Sequence, residues 1–121
     1  MWKYPPSTIL VPVDFGDASA QALRVAESLR ARLGGRIRLL YAETIETPPY
    51  FTHEQLATIE RERKAARAQA KQFANRFAVR NGVTAAEILV VDRTAEEAIV
   101  EEAARADLVV MGTHGRRGAR R

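Results

Sequence analysis

Cysteine is absent from the 121 residues, and aromatic residues make up only 7% of them. The first absence excludes disulfides, thiolate zinc sites and a cysteine nucleophile. It agrees with a reducing compartment, and the cytoplasm is the expected location. Histidine is scarce as well, with only His53 and His114. They do not form an i, i+4 pair on a helix, so no zinc site is expected. No apolar run approaches the roughly 20 residues that cross a bilayer. The opening MWKYPP leads directly into a strand-like run and lacks the pattern of a secretory leader. No membrane partner is therefore expected. G-x-S-x-G and Walker A patterns are both missing, which removes the usual support for a serine hydrolase or a P-loop enzyme.

Against these gaps stands an ordinary globular composition, 46% hydrophobic and 28% charged. The length fits one domain, residues 1–121. Four of the 19 Lys and Arg residues are Arg116, Arg117, Arg120 and Arg121, and the other 15 balance the 15 acidic residues. The net charge of +4 is thus an end effect. Nucleic-acid binders spread their cations along a face or helix, so nucleic acid is not the expected partner.

Hydrophobic periodicity alternates along the chain. Residues 8–13, TILVPV, form a continuous apolar run that predicts a strand buried on both faces. A helix is expected from about Asp17 or Ser19, either of which suits the N-cap. Ala22, Leu23, Ala26, Leu29 and Leu33 give it one apolar face, and Gly34-Gly35 stops it. Arg36–Ala42 is the second strand. Pro48-Pro49 then interrupts regular structure. Thr52 and Gln55 have capping-box spacing, which predicts a long helix to about Arg80. Leu56, Ile59, Ala66, Ala70, Phe73 and Phe77 mark its inner side; Arg61, Arg63, Lys64, Arg67 and Lys71 mark a solvated one. Glu87–Val91 is a third strand. A second capping box, Thr94 and Glu97, opens a helix over residues 95–106, and residues 107–111 are a fourth strand.

Strands alternating with helices predict a parallel sheet covered on both faces: a three-layer α/β/α, Rossmann-like fold. Ligands of such sheets lie beyond the carboxyl ends of the strands. Three segments fall there: Pro12, Val13 and Asp14; Tyr41, Ala42 and Glu43; and the loop Gly112-Thr113-His114-Gly115-Arg116-Arg117-Gly118. The loop glycines let backbone N–H groups approach an anion, and the arginines suit phosphate. On composition alone the loop is either a plain turn or a phosphate cradle. Asp14 is either a helix cap or an acceptor for a sugar hydroxyl or metal. It lacks an acidic neighbour, which argues against a phosphoryl-accepting carboxylate of the receiver-domain kind.

With ILVPVDFGDASAQAL at the start, RIRLLYAE in the second strand and ADLVVMGTHGRRG near the end, the chain resembles the universal stress protein family along its whole length. The resemblance implies the five-stranded sheet of the adenine nucleotide alpha hydrolase-like superfamily. A fifth strand and a last helix are then expected past Arg121. It also implies a nucleotide site. The ATP-binding branch uses G-x2-G-x9-G-[ST], and Gly112 and Gly115 match its first two glycines; its third would fall at position 125, outside these residues. By position, Pro12, Val13 and Asp14 correspond to the nucleoside pocket, and Ala42 to the backbone that reads the adenine edge. Met111, Gly112, Thr113, His114, Gly115, Arg116 and Arg117 correspond to the phosphate side. The implied ligand is ATP, with ADP or AMP as variants, together with Mg²⁺. No protein metal ligand or catalytic residue is assigned. The implied assembly is a homodimer that signals stress to an unidentified protein partner. Two alternatives stay open: a protein-interaction module of the non-ATP branch, and a slow ATPase.

Overall fold

A computed structural model describes residues 4–44 and 52–112. Four strands, β1 (Thr8–Pro12), β2 (Arg36–Ala42), β3 (Glu87–Val91) and β4 (Leu108–Val109), form one parallel sheet in the order β3-β2-β1-β4. Helices α1 (Asp17–Leu33), α2 (His53–Arg80) and α3 (Ala95–Ala103) connect them. The alternating pattern, the parallel sheet and the three layers expected above are all present.

The two-residue pleat of each strand divides the core. Ile9, Val11 and Val13 of the first strand segment, with Ile37 and Leu39 of β2, pack against Ala22, Leu23 and Ala26 of α1 and Ala74, Phe77 and Ala78 of α2. Leu10 and Leu40 point the other way, onto Ala98 of α3, with Leu89, Val91 and Val109 beside them. Six of these strand residues, Ile9, Leu10, Val11, Ile37, Leu39 and Leu40, are at most 1% exposed. Each contributes about 1.5–3 kcal/mol by burial. Such continuous burial explains why β1 reads as an unbroken apolar run and not as an alternating one.

The boundaries of β2, α2 and β3 fall where the sequence puts them. Other details differ, beginning with β1, which ends at Pro12 and not at Val13. The N-cap of α1 is Gly16, and it makes no side-chain cap bond, so neither Asp17 nor Ser19 fills that role. The ladder part of β4 is Leu108–Val109 and does not run to Met111, although the Val110 N–H still donates to the Leu10 carbonyl (2.9 Å). α3 ends at Ala103 and not at Ala106. On α2, Ala66 and Phe73 are exposed, and only Ala74, Phe77 and Ala78 are buried. The reason is length: 28 residues span ~42 Å of helix, whereas strands of five to seven residues span ~17–23 Å. The buried residues of α2 all fall in its last third. Arg63, expected on the wet side, is half-buried and lines a small cavity with Glu43 and Asp92 at the carboxyl ends of β2 and β3.

Both capping motifs form at least in part. Thr52 Oγ1 accepts from the Gln55 N–H (3.1 Å), and Gln55 Oε1 accepts from the Thr52 N–H (2.8 Å). Thr94 Oγ1 accepts from the Glu97 N–H (3.2 Å) and donates to Glu97 Oε1 (2.9 Å), so the second box keeps only its first half. At the amino ends of the strands, Asp107 Oδ2 accepts from the Ser7 N–H (2.9 Å) and Ser7 Oγ (2.8 Å), which ties the start of β4 to the start of β1.

One ion cluster joins α3 to the sheet. Glu102 is 6% exposed; its Oε1 accepts from Arg38 Nη1 of β2 (3.1 Å) and its Oε2 from Arg105 Nη1 (2.9 Å). Arg38 Nε also lies 3.2 Å from Glu87 Oε1. Removing one partner of a buried pair leaves the other charge uncompensated. Glu102→Ala is expected to cost about 3 kcal/mol of unfolding free energy. Arg105→Ala, on a side chain that is 63% exposed, is expected to cost less than about 1 kcal/mol. Urea denaturation of both variants checks the difference.

Candidate functional site

β1 is the first strand to leave the sheet. Its last residue, Pro12, sits opposite Leu40, and the Val13 N–H donates to the Leu40 carbonyl (2.9 Å). At Asp14 the chain turns away from the ladder: the Asp14 N–H, on the side of the strand opposite to the Val13 N–H, donates to Ser19 Oγ (2.8 Å). β2 continues to Ala42, opposite Val91 of β3, and the Glu43 N–H donates to the Val91 carbonyl (3.0 Å). In a parallel ladder, successive residues direct their backbone groups to alternate neighbours. Leu40 serves β1 and Glu43 serves β3, so the N–H and C=O of Ala42 face the place that β1 has vacated. The Ala42 side chain packs on the α3 side.

β4 flanks the vacated place from the other side. Met111 is exposed and Gly112 half-buried. A Cβ on Gly112 would lie 2.5 Å from the Ala18 carbonyl oxygen and 2.6 Å from its carbon. Only glycine permits that approach to the first turn of α1, the turn whose N–H groups lack helical partners. The order β3-β2-β1-β4 therefore brings Asp14, Ala42 and Gly112 to one crevice where the winding of the sheet reverses.

The Asp14 carboxylate organises the turn. Its Oδ1 accepts from the Gly16 N–H (2.9 Å) and from Ser19 Oγ (2.7 Å). With the bond from the Asp14 N–H to Ser19 Oγ, these contacts close a small ring around a buried serine. Pro12 and Val13 contribute backbone to the crevice floor, while the Val13 side chain belongs to the core. Thr113, His114, Gly115, Arg116 and Arg117 lie outside the described residues.

Sequence reasoning passed over Phe15. Its φ is 67°, in the left-handed region that non-glycine residues avoid, at a cost of about 1–3 kcal/mol. Three rings surround it: Tyr41 (centroids 4.7 Å, tilted), Phe73 (4.8 Å, edge-on) and Phe77 (5.3 Å, edge-on). Such pairs contribute about 0.5–1.5 kcal/mol each beyond burial. The adjacent Gly16 advertises a turn but does not show which residue carries the positive φ. Phe15, Tyr41 and Phe73 border an open groove of about 540 Å³, together with Gln72 and Arg76. Burial pushes the Tyr41 phenol above its ordinary value of 10.0, and the negative charge of Glu43, whose Oε1 accepts the phenol hydrogen at 3.4 Å, pushes it the same way.

The model of the universal stress protein family matches residues 6–121. A structure of a universal stress protein family member from Burkholderia pseudomallei is 30% identical, over 90% of this chain and 83% of its own, with a TM-score of 0.50. A universal stress protein in complex with cAMP is 24% identical, over 86% of this chain and 70% of its own, with a TM-score of 0.52. The universal stress protein from Archaeoglobus fulgidus in complex with dAMP is 18% identical, over 86% and 78% of the two chains, with a TM-score of 0.51. No curated protein matches the chain.

Two outcomes test this geometry. Gly112→Ala is expected to destabilise the fold by about 1–3 kcal/mol, as overpacking does, in a thermal melt. Tyr41 favours its protonated form when folded, so its contribution to stability is present below pH 10 and is lost as pH rises through the raised value. The difference between the ultraviolet titrations of wild type and Tyr41→Phe is expected to have its midpoint above 10.0.

Proposed function

Because the chain belongs to the universal stress protein family, we propose that it binds an adenine nucleotide and acts as a regulatory module of a stress response. The backbone edge of Ala42 carries this reading. It faces the gap left by β1, and Gly112 lies on the far side of that gap, two strand spacings or ~10 Å away. A base and its sugar fit that span. A backbone N–H and C=O side by side match the acceptor N1 and donor N6 of adenine. Guanine in the same pose presents the opposite donor and acceptor order. Asp14 lies between the two and accepts a ribose hydroxyl, and the first turn of α1 beside Gly112 faces phosphate. The complexes of two structural neighbours with cAMP and dAMP support the same ligand class.

ATP is the proposed ligand, with ADP and AMP as weaker alternatives. Among the described residues, no group of three His, Asp or Glu side chains is placed to hold a metal. Mg²⁺ would therefore come with the phosphates, as Mg²⁺ commonly does, with Asp14 the nearby carboxylate. Asp14 Oδ1 already accepts two hydrogen bonds, so it is engaged in the turn and not poised as a general base; hydrolysis is expected to be slow. The working form is proposed to be a cytoplasmic homodimer that presents a nucleotide-dependent surface to a protein partner. No helix among the described residues is long and apolar enough to cross a membrane.

Calorimetric titration with ATP, ADP, AMP and GTP, with and without Mg²⁺, tests the reading. The adenine nucleotides are expected to bind and GTP not to. At 100 times its dissociation constant, ATP is expected to stabilise the fold by about 2.7 kcal/mol. Asp14→Ala is expected to weaken ATP binding about tenfold, which corresponds to roughly 1.4 kcal/mol. A chain that binds none of the adenine nucleotides refutes the proposal.

A further inference from the structure

The turn between β1 and α1 places its glycine one residue away from the position that most needs one. Phe15 has φ 67°, whereas Gly16 has φ −87°. Gly16 lacks a Cβ for a different reason: that atom would lie 3.1 Å from Asp14 Oδ1, which accepts the Gly16 N–H. A bulky residue with left-handed backbone persists only where its surroundings over-determine it. Here the surroundings are three rings, and two of them, Phe73 and Phe77, belong to α2. The third, Tyr41, directly precedes Ala42, and Phe15 directly follows Asp14. One ring cluster therefore touches the chain next to both proposed nucleoside contacts.

We propose that Phe15 is the positioning residue of the nucleotide site, and that α2, through Phe73 and Phe77, sets how tightly that site binds. This inference rests on the adenine-nucleotide reading above. Its physical content is a linked pair of contacts. While the rings hold Phe15, the left-handed turn keeps the Asp14 carboxylate on Gly16 and Ser19, and β1 stays clear of the Ala42 edge. When the rings part, the turn relaxes toward ordinary backbone angles, and the Asp14 contacts and the open edge are lost together. Phe77 is buried and gives the fixed side of the contact, but Phe73 is 44% exposed and borders the groove with Gln72 and Arg76.

The test uses the full chain and two readouts: ATP titration by calorimetry, and amide hydrogen exchange without nucleotide. Phe73→Ala removes a ring that belongs to neither Asp14 nor Ala42. It is expected to weaken ATP binding about fivefold or more, the lower end of ordinary coupling between sites. It is also expected to speed exchange at residues 16–19, and not only around position 73. Phe15→Gly relieves the backbone and removes the anchor, so it is expected to lose at least as much affinity. The double variant is expected to lose no more than Phe15→Gly alone, since both changes delete one contact. Val79→Ala, at another exposed apolar position of α2, is expected to bind ATP as wild type does. Wild-type affinity in Phe73→Ala, or exchange that rises only near position 73, overturns the coupling while leaving the nucleotide reading intact. A wild-type chain that binds no adenine nucleotide overturns that reading, and with it the role in binding assigned to Phe15.

Discussion

The hydrogen-bonded ring formed by Asp14, Gly16 and Ser19 decides where β1 stops. Ser19 Oγ accepts the Asp14 N–H, the first backbone donor past the ladder, and it donates in turn to Asp14 Oδ1. A backbone donor at the edge of a core must be satisfied somewhere. By giving it a side-chain partner, the turn lets the strand end without an orphaned group. The start of α1 follows from that choice of partner, and the ladder to β2 ends with the Val13 N–H on the Leu40 carbonyl. The close seat of Gly112 against Ala18 then fixes where α1 begins relative to β4.

The two sheet faces reach stability by different means. The face under α1 and α2 is almost wholly apolar, and its order comes from packing. The face under the nine-residue α3 has a smaller apolar cluster and adds the buried contact between Arg38 and Glu102. Buried ion pairs contribute little net stability compared with apolar packing, but they hold one geometry sharply. On this face a short helix is held to β2 by a directional contact at a place where apolar area is limited. Arg38 also shows how a charged residue enters a buried strand: Glu102 on α3 and Glu87 on β3 supply opposite charge at both ends of its guanidinium.

Much of the architecture was legible because it is written in periodicity. The apolar run of residues 8–13, the T-x-x-Q spacing at Thr52 and the Gly34-Gly35 stop each report a local energetic preference, and three element boundaries agree to the residue. The errors arise where tertiary contacts override local preference. Phe73 has the spacing of an inner residue, yet it stands at the border of an open groove beside Phe15 and is left 44% exposed. Asp17 and Ser19 look like caps, but Ser19 is drawn inward by Asp14. The positive φ at Phe15 leaves no trace in composition, because the residue that suggests it is its neighbour. Of the site, Asp14 and Gly112 could be found from their types and places after strands. Ala42 could be placed only through the family resemblance, since its side chain carries no signal.

That last point has a wider physical consequence. A residue that recognises a ligand by backbone N–H and C=O, the role proposed for Ala42, makes no demand on its own side chain, and that of Ala42 packs with the core under α3. Selection on the site then falls on whatever keeps that backbone edge open. Here it is the premature end of β1, maintained by Asp14, by Ser19 and by a strained Phe15 braced against α2. Sequence identity with the structural neighbours is 18–30%, and the fold is shared. The fold needs apolar residues at alternate positions and a turn that diverts one strand, and many sequences satisfy both. Variation in affinity between such proteins should therefore track the bracing of the turn more closely than the residues that line the crevice.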